Sequence, residues 1–200
     1  MTFVKSRYFW LGIAFFSVFC VFLAHVVFQN MFYMPPCEKC VYIRYFFCVI
    51  ALGAILAFFA PKYLGILGYI GAIYGCFGGL NAAIKLHKIR LSLETGEAFG
   101  ISGCKMTPNF DFGLALDKWW ADMFAPKALC GFDAPVVPKN TDISAFAQYF
   151  IELYKDGWFL LPKYQFLDMA QCCMIIFLAL FALVLLRAIL KLLEIRSVRK

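Results

Sequence analysis

Charge is scarce in this chain. Lys, Arg, Asp and Glu make up 16% of its 200 residues and hydrophobic residues 64%, whereas a soluble domain carries about a quarter charged and about half apolar residues. That shortage excludes an ordinary water-soluble globule and puts the chain in lipid. No haem, flavin or iron–sulfur motif is present, so none of those centres is expected. No small-x-small cleavage site follows the first apolar run, and the run is too long for a signal-peptide core. It is expected to stay as a membrane helix.

What the chain does have is apolar runs. Tyr8–Phe28 is 21 residues without a formal charge, enough to cross a hydrocarbon layer of about 30 Å. Three more runs follow, at about 41–60, 64–84 and 167–186, each separated by Pro, Gly or charge. The expected fold is an all-α membrane protein, a four-helix bundle forming a single integral membrane domain over 1–200. A short loop covers about 29–40 and a long one about 85–166. The third run carries Gly71, Gly75 and Gly79 at a spacing of four, a smooth ridge for close helix packing. In the long loop, Leu116–Phe124 and Ile143–Tyr154 are expected to be helical. The second places Ile143, Phe146, Ala147, Phe150, Ile151 and Tyr154 on one face, and beside Trp158 it suits the membrane surface.

Net charge is +7, and all of it comes from residues 1–7, Lys62 and the tail from Arg187. Excess Lys and Arg mark the cytoplasmic side of a membrane protein. Both termini and the Pro61-Lys62 turn are therefore expected in the cytoplasm, with the two loops on the opposite face. The tail reads as a topology signal, and no nucleic-acid partner is expected. Lys85, Lys88 and Arg90 run against this bias, but long connectors cross largely regardless of charge.

Of nine cysteines, Cys20, Cys48, Cys76, Cys172 and Cys173 lie within apolar runs and Cys37, Cys40, Cys104 and Cys130 outside them. The five are expected to act as small hydrophobes. Four cysteines in the polar parts suggest two disulfides, stable only in an oxidising compartment. Cys37 and Cys40 form a Cys-x-x-Cys at the head of the second helix. It can be a redox disulfide, a structural disulfide or half of a zinc site completed by Cys104 and Cys130. The spacing of 26 between the last two is not that of a zinc knuckle, and no metal is expected.

Arg44 follows Cys40 by one helical turn, so it can face the same way. Its charge would favour a Cys40 thiolate and could hold an oxygen of a lipid-soluble quinone, the acceptor available inside a bilayer. Its plainer role is an interfacial anchor. His87 lies at the same level, at the outer end of the third helix, and His25 near the end of the first is expected to be a packed or interfacial histidine.

Gln29, Pro36-Cys37-x-x-Cys40-x-Tyr42-x-Arg44, Pro61-Lys62 and Cys104 … Leu116-Asp117-Lys118-Trp119 … Cys130 together resemble the bacterial DsbB family. The resemblance spans most of the chain and all four apolar runs. It implies an inner-membrane protein-disulfide-generating oxidoreductase that reoxidises a periplasmic thioredoxin-fold thiol oxidase of DsbA or DsbL type. The electrons would pass through two cysteine pairs to ubiquinone or menaquinone, as in the DsbA–DsbB–quinone system that keeps the bacterial periplasm oxidising. By the same resemblance Cys104 would form the mixed disulfide with the partner, Cys130 would be its resting disulfide partner, and Cys37 would receive the electrons. Cys40 would form a thiolate–quinone charge-transfer complex beside Arg44, with Gln29 and His87 near the quinone. The stretch Gly131–Gln165 is longer than in the ordinary DsbB pattern and is similar to the DsbI branch. The rival from another class is a tetraspan scaffold whose loop disulfides are only braces. A quinone-linked reductase of the vitamin K epoxide reductase type would carry its Cys-x-x-Cys late in the bundle, not at the second helix.

Overall fold

A computed structural model describes residues 7–59, 65–96, 104–139 and 141–198. Helix α1 spans Tyr8–Phe22 and continues in π-helical winding over Leu23–Met31. Helix α2 spans Glu38–Phe59 and α3 Gly65–Thr95. Two single turns follow, α4 at Leu116–Trp119 and α5 at Ala121–Phe124, then α6 at Ala145–Leu153. A small antiparallel hairpin pairs β1, Phe159–Leu161, with β2, Phe166–Asp168. Helix α7, Met169–Val198, completes the bundle. Four helices are long and apolar enough to cross a membrane, and the fold is an all-α tetraspan. The basic lead of residues 1–6, the Pro61-Lys62 turn, Gly103 and the last two residues of the tail lie outside the described residues.

Local chemistry explains the ends. Helix α7 opens on a reciprocal cap: Gln171 N donates to Asp168 Oδ1 at 2.7 Å, and Asp168 N donates to Gln171 Oε1 at 3.0 Å. Two orphan donors of the first turn are satisfied at once. Ser144 caps α6, accepting from Ala147 N at 3.2 Å. Tyr33, at φ 55°, turns the chain sharply after the π-helical segment.

Helices α2 and α3 approach backbone to backbone. A Cβ on Gly68 would lie 2.6 Å from the Gly53 carbonyl oxygen, and one on Gly75 2.6 Å from Ile50 Cγ1. Gly71 has room, its nearest neighbour at 3.6 Å. The tight contacts are therefore Gly68 against Gly53 and Gly75 against Ile50, while Gly79 makes space for Phe177 of α7. Phe177 is fully buried and stacks on Phe47 at 4.4 Å.

Helix α3 does not end near 84, as its charges suggest. It runs on to Thr95, because Arg90 is not a solvated connector residue. Its Nη1 donates to Asp133 Oδ2 at 3.2 Å and its Nε to Glu94 Oε1 at 3.2 Å. The α4–α5 region is likewise two turns broken at Trp120 instead of one helix. The apolar face of α6 packs partly on the protein itself: Phe150 stacks on Phe32 at 4.8 Å, and Tyr154 on Trp158 at 6.2 Å.

Candidate functional site

Pro35 and Pro36 keep the chain out of helix until Cys37. Cys37 then caps α2, its Sγ accepting the Cys40 N–H at 3.1 Å. A sulfur in this place faces the positive end of the helix. Cys37 and Cys40 are joined as a disulfide with Cα atoms 5.0 Å apart, and Cys104 and Cys130 as another at 5.6 Å.

The two disulfides meet. The sulfurs of Cys37, Cys104 and Cys130 all lie within 4.8 Å of one another. As thiolates they could hold a metal, but as two disulfides they offer no thiolate ligand. Cys37 and Cys130 are buried, at 1% and 4% exposure, whereas Cys40 and Cys104 are half-buried. Backbone pairing holds the Cys130 arm in place: Lys127 N and Ala128 N both donate to the Pro36 carbonyl, at 2.8 and 3.2 Å.

Arg44, one turn beyond Cys40, is 5% exposed. Its Nη1 donates to Gln29 Oε1 at 2.6 Å and to the Met123 carbonyl at 3.2 Å, and its Nη2 to the Ala24 carbonyl at 2.9 Å. The π-helical segment of α1 thus turns both Ala24 and Gln29 toward α2, a winding often found at functional sites. Gln29 in turn donates through Nε2 to the Asp122 carbonyl at 2.8 Å and to Asp122 Oδ1 at 3.3 Å. Asp122 also takes Lys127 at 2.6 Å and His25 at 3.4 Å. Its carboxyl is held below the usual range, first by the hydrogen bond from Lys127.

Cys40 and Arg44 share a cavity of about 230 Å³ with Phe28, Phe47, Asp133 and Trp158, and with Cys20, Cys172 and Cys173 from α1 and α7. The walls are mostly apolar and aromatic, as a flat lipid-soluble ring requires. The Trp158 indole Nε1 is buried without a hydrogen-bond partner among the described residues. An indole N–H is a donor only, so a carbonyl oxygen in this cavity would satisfy it. These residues fit a quinone ring, with Arg44 and Trp158 as donors. Burial raises the Asp133 carboxyl above its ordinary range, against the pull of Arg90.

The expected residues divide in three. The four cysteines and Arg44 come together. Gln29 joins them through Arg44 but is not in the cavity wall, and neither is His87, whose Nδ1 lies 3.0 Å from Asp168 Oδ2. Sequence reasoning missed Glu38, Asp122, Asp133 and the inward role of Trp158. The one available signal was Glu38, an acid between two cysteines at the mouth of an apolar helix.

The family model described as "Disulfide bond formation protein DsbB" matches residues 6–187. A putative protein-disulfide oxidoreductase DsbI of Campylobacter fetus is 43% identical over 82% of this chain and 77% of its own length. The protein-disulfide oxidoreductase DsbI of Salmonella typhimurium is 40% identical, covering 86% and 80%. A putative protein-disulfide oxidoreductase DsbI of Campylobacter jejuni is 37% identical, covering 86% and 70%. The DsbI name on these relatives agrees with the branch expected from the long Gly131–Gln165 stretch. Names and cysteine pairs support a disulfide-forming oxidoreductase, and four apolar helices in this family fit a multi-pass inner-membrane protein. The extent of the match and identities near 40% over most of both chains leave one assignment: this chain belongs to the DsbB family.

Proposed function

We propose that the chain takes electrons from a periplasmic dithiol protein of thioredoxin fold, of DsbA or DsbL type, and delivers them through its two cysteine pairs to a quinone. The observation that carries this reading is the meeting of three sulfurs within 4.8 Å beside a cavity that holds the fourth cysteine and a buried arginine.

The partner's thiolate attacks Cys104, the more exposed sulfur of its pair, and the Cys104–Cys130 bond breaks. Cys130 leaves as a thiolate, within reach of Cys37. Attack on Cys37 breaks the Cys37–Cys40 bond and frees Cys40 as a thiolate in the cavity. The partner's second thiol then displaces Cys104, and the partner leaves oxidised. Cys104 in turn attacks Cys130, which restores its own disulfide and returns Cys37 as a thiol. Each step exchanges one S–S bond for another, so the two electrons reside on Cys37 and Cys40 at the end. A quinone held by Arg44 and Trp158 would supply the two-electron, two-proton sink needed for the Cys37–Cys40 bond to re-form. Arg44 stabilises the Cys40 thiolate by charge, and Trp158 orients a ring oxygen. Both loops then face the periplasm and both termini the cytoplasm.

The test is purified protein with a reduced thioredoxin-fold dithiol protein and quinone. Quinone should be consumed one for one with partner disulfide formed, and Cys37→Ser should abolish it. Full turnover in Cys37→Ser, or no consumption by the parent protein, overturns the reading. In Cys130→Ser, Cys104 is a free thiol, so a partner supplied in its disulfide form should be attacked by it and held covalently at Cys104, one S–S bond exchanged for another.

A further inference from the structure

Glu38 is a charged residue at 3% exposure, lying between the two cysteines of the Cys-x-x-Cys. Its Oε2 accepts the backbone N–H of Lys105, the residue after Cys104, at 2.6 Å. Its Oε1 faces Lys39 Nζ at 3.2 Å. One helical turn on, the Tyr42 hydroxyl accepts the backbone N–H of Asn109 at 2.7 Å. Between and beyond these points the Phe110 ring closes on Tyr42 at 5.6 Å and on Tyr45 at 5.4 Å. Segment 104–110 is therefore tied to one face of α2 at two backbone donors. Neither Glu38 nor Tyr42 is a reactant in any exchange step.

We propose that Glu38 and Tyr42 are positioning residues, a two-point latch that holds the Cys104 arm against the Cys-x-x-Cys so that the two disulfides can exchange. The inference rests on the reading that the pairs do exchange. Cys104 lies 67 residues from Cys37 in the chain, and a free loop of that length would hold two sulfurs together only at the millimolar effective concentration of a flexible tether. Thiol–disulfide exchange also needs the attacking sulfur to reach one particular sulfur of the disulfide. Pinning the backbone at two points just after Cys104, at Lys105 and Asn109, supplies that, and the Pro36 carbonyl does the same for the Cys130 arm. A buried carboxylate accepting a backbone N–H makes one of the stronger hydrogen bonds.

The experiment needs neither partner nor quinone. In a Cys40→Ser, Cys130→Ser background, the Cys37–Cys104 bond is titrated with glutathione buffers. Each protein disulfide formed takes two electrons from those two thiols and converts one oxidised glutathione to two reduced ones. The effective concentration of the pair should fall roughly tenfold or more in Glu38→Leu with Tyr42→Phe, given the usual worth of a hydrogen bond to a charged group. Glu38→Gln should restore it to within about threefold, because the amide oxygen still accepts from Lys105. Closure of the Cys37–Cys40 ring in a Cys104→Ser, Cys130→Ser background should not change, since that ring belongs to α2 alone. Tyr42→Phe keeps the ring and the packing, and should by itself lower the Cys37–Cys104 value about two- to fivefold; it decides the matter if Glu38→Leu fails to fold. An unchanged Cys37–Cys104 value, an equal fall in both pairs, or a Glu38→Gln as poor as Glu38→Leu overturns the latch. Any of those results would leave quinone consumption untouched as a separate question, and a protein that consumes no quinone could still show the latch.

Discussion

Arg44 donates to the side-chain oxygen of Gln29 at 2.6 Å, and this neutral amide, not a carboxylate, is the closest partner of the buried cation. The other two acceptors are backbone carbonyls, of Ala24 and Met123. Arg44 is thus held rigidly without having its charge cancelled by contact. A buried charge left unpaired is costly, and such a cost is sustained where the charge has an anion to stabilise. The Cys40 thiolate in the shared cavity is that anion in the proposed reaction.

Gln29→Glu separates the two roles of this contact. A carboxylate there would pair with Arg44 and keep or raise stability while cancelling its field at Cys40. Alkylation of Cys40 in a Cys37→Ser background should slow about tenfold or more, in line with the loss of a nearby opposite charge. Gln29→Leu should instead lower stability by about 1.5–3 kcal/mol, the worth of a hydrogen bond to a charged group. Thermal unfolding in detergent and the alkylation rate check the two together.

Trp158→Phe removes the indole N–H that has no partner among the described residues and keeps an aromatic wall. KM for quinone should rise about 2- to 10-fold, the worth of one neutral hydrogen bond, with kcat little altered. A change confined to kcat would show that Trp158 does not hold the ring.

Asp122 sets an acid limit. Its carboxyl is held below its ordinary value by Lys127, so the folded state binds a proton less readily than the unfolded one. The contribution to stability is present above the unfolded value and is lost as pH falls through the lower, folded one. With the side chain 56% exposed, the effect is small and screened by salt. Unfolding midpoints should drop on the acid side of the carboxylate range, and Asp122→Asn should flatten that slope.

Gly68→Ala and Gly71→Ala each add one methyl to the same helix, yet should differ in effect. The first drives a Cβ into Gly53 and Ala57, and overpacking of this kind costs about 1–3 kcal/mol; the second meets nothing closer than 3.6 Å. Denaturant unfolding of the two variants in micelles makes the comparison.

What could be read from sequence was whatever repeats along one helix. The Cys-x-x-Cys, Arg44 one turn on, and the charge-free runs are all local patterns, and each stands in the structure where the spacing puts it. What escaped were partners supplied by distant backbone. Glu38 looks like a solvated acid until Lys105 N–H is beside it. Arg90 looks like a connector residue until Asp133, 43 residues on, pairs with it and lets α3 continue. Trp158 has the composition of an interface residue, but the packing of Tyr154 and Phe28 on it turns it inward. No periodicity encodes such meetings.

The near-complete enclosure of Cys37 has a consequence for wiring. At 1% exposure that sulfur is shielded from a small dissolved thiol, so in the proposed reaction reducing equivalents reach it by way of the more exposed Cys104 and the partner docked there. The covering segments act as insulation around a conductor. Under the proposed function, the flow of electrons is thereby metered by protein recognition more than by whatever reductant diffuses past.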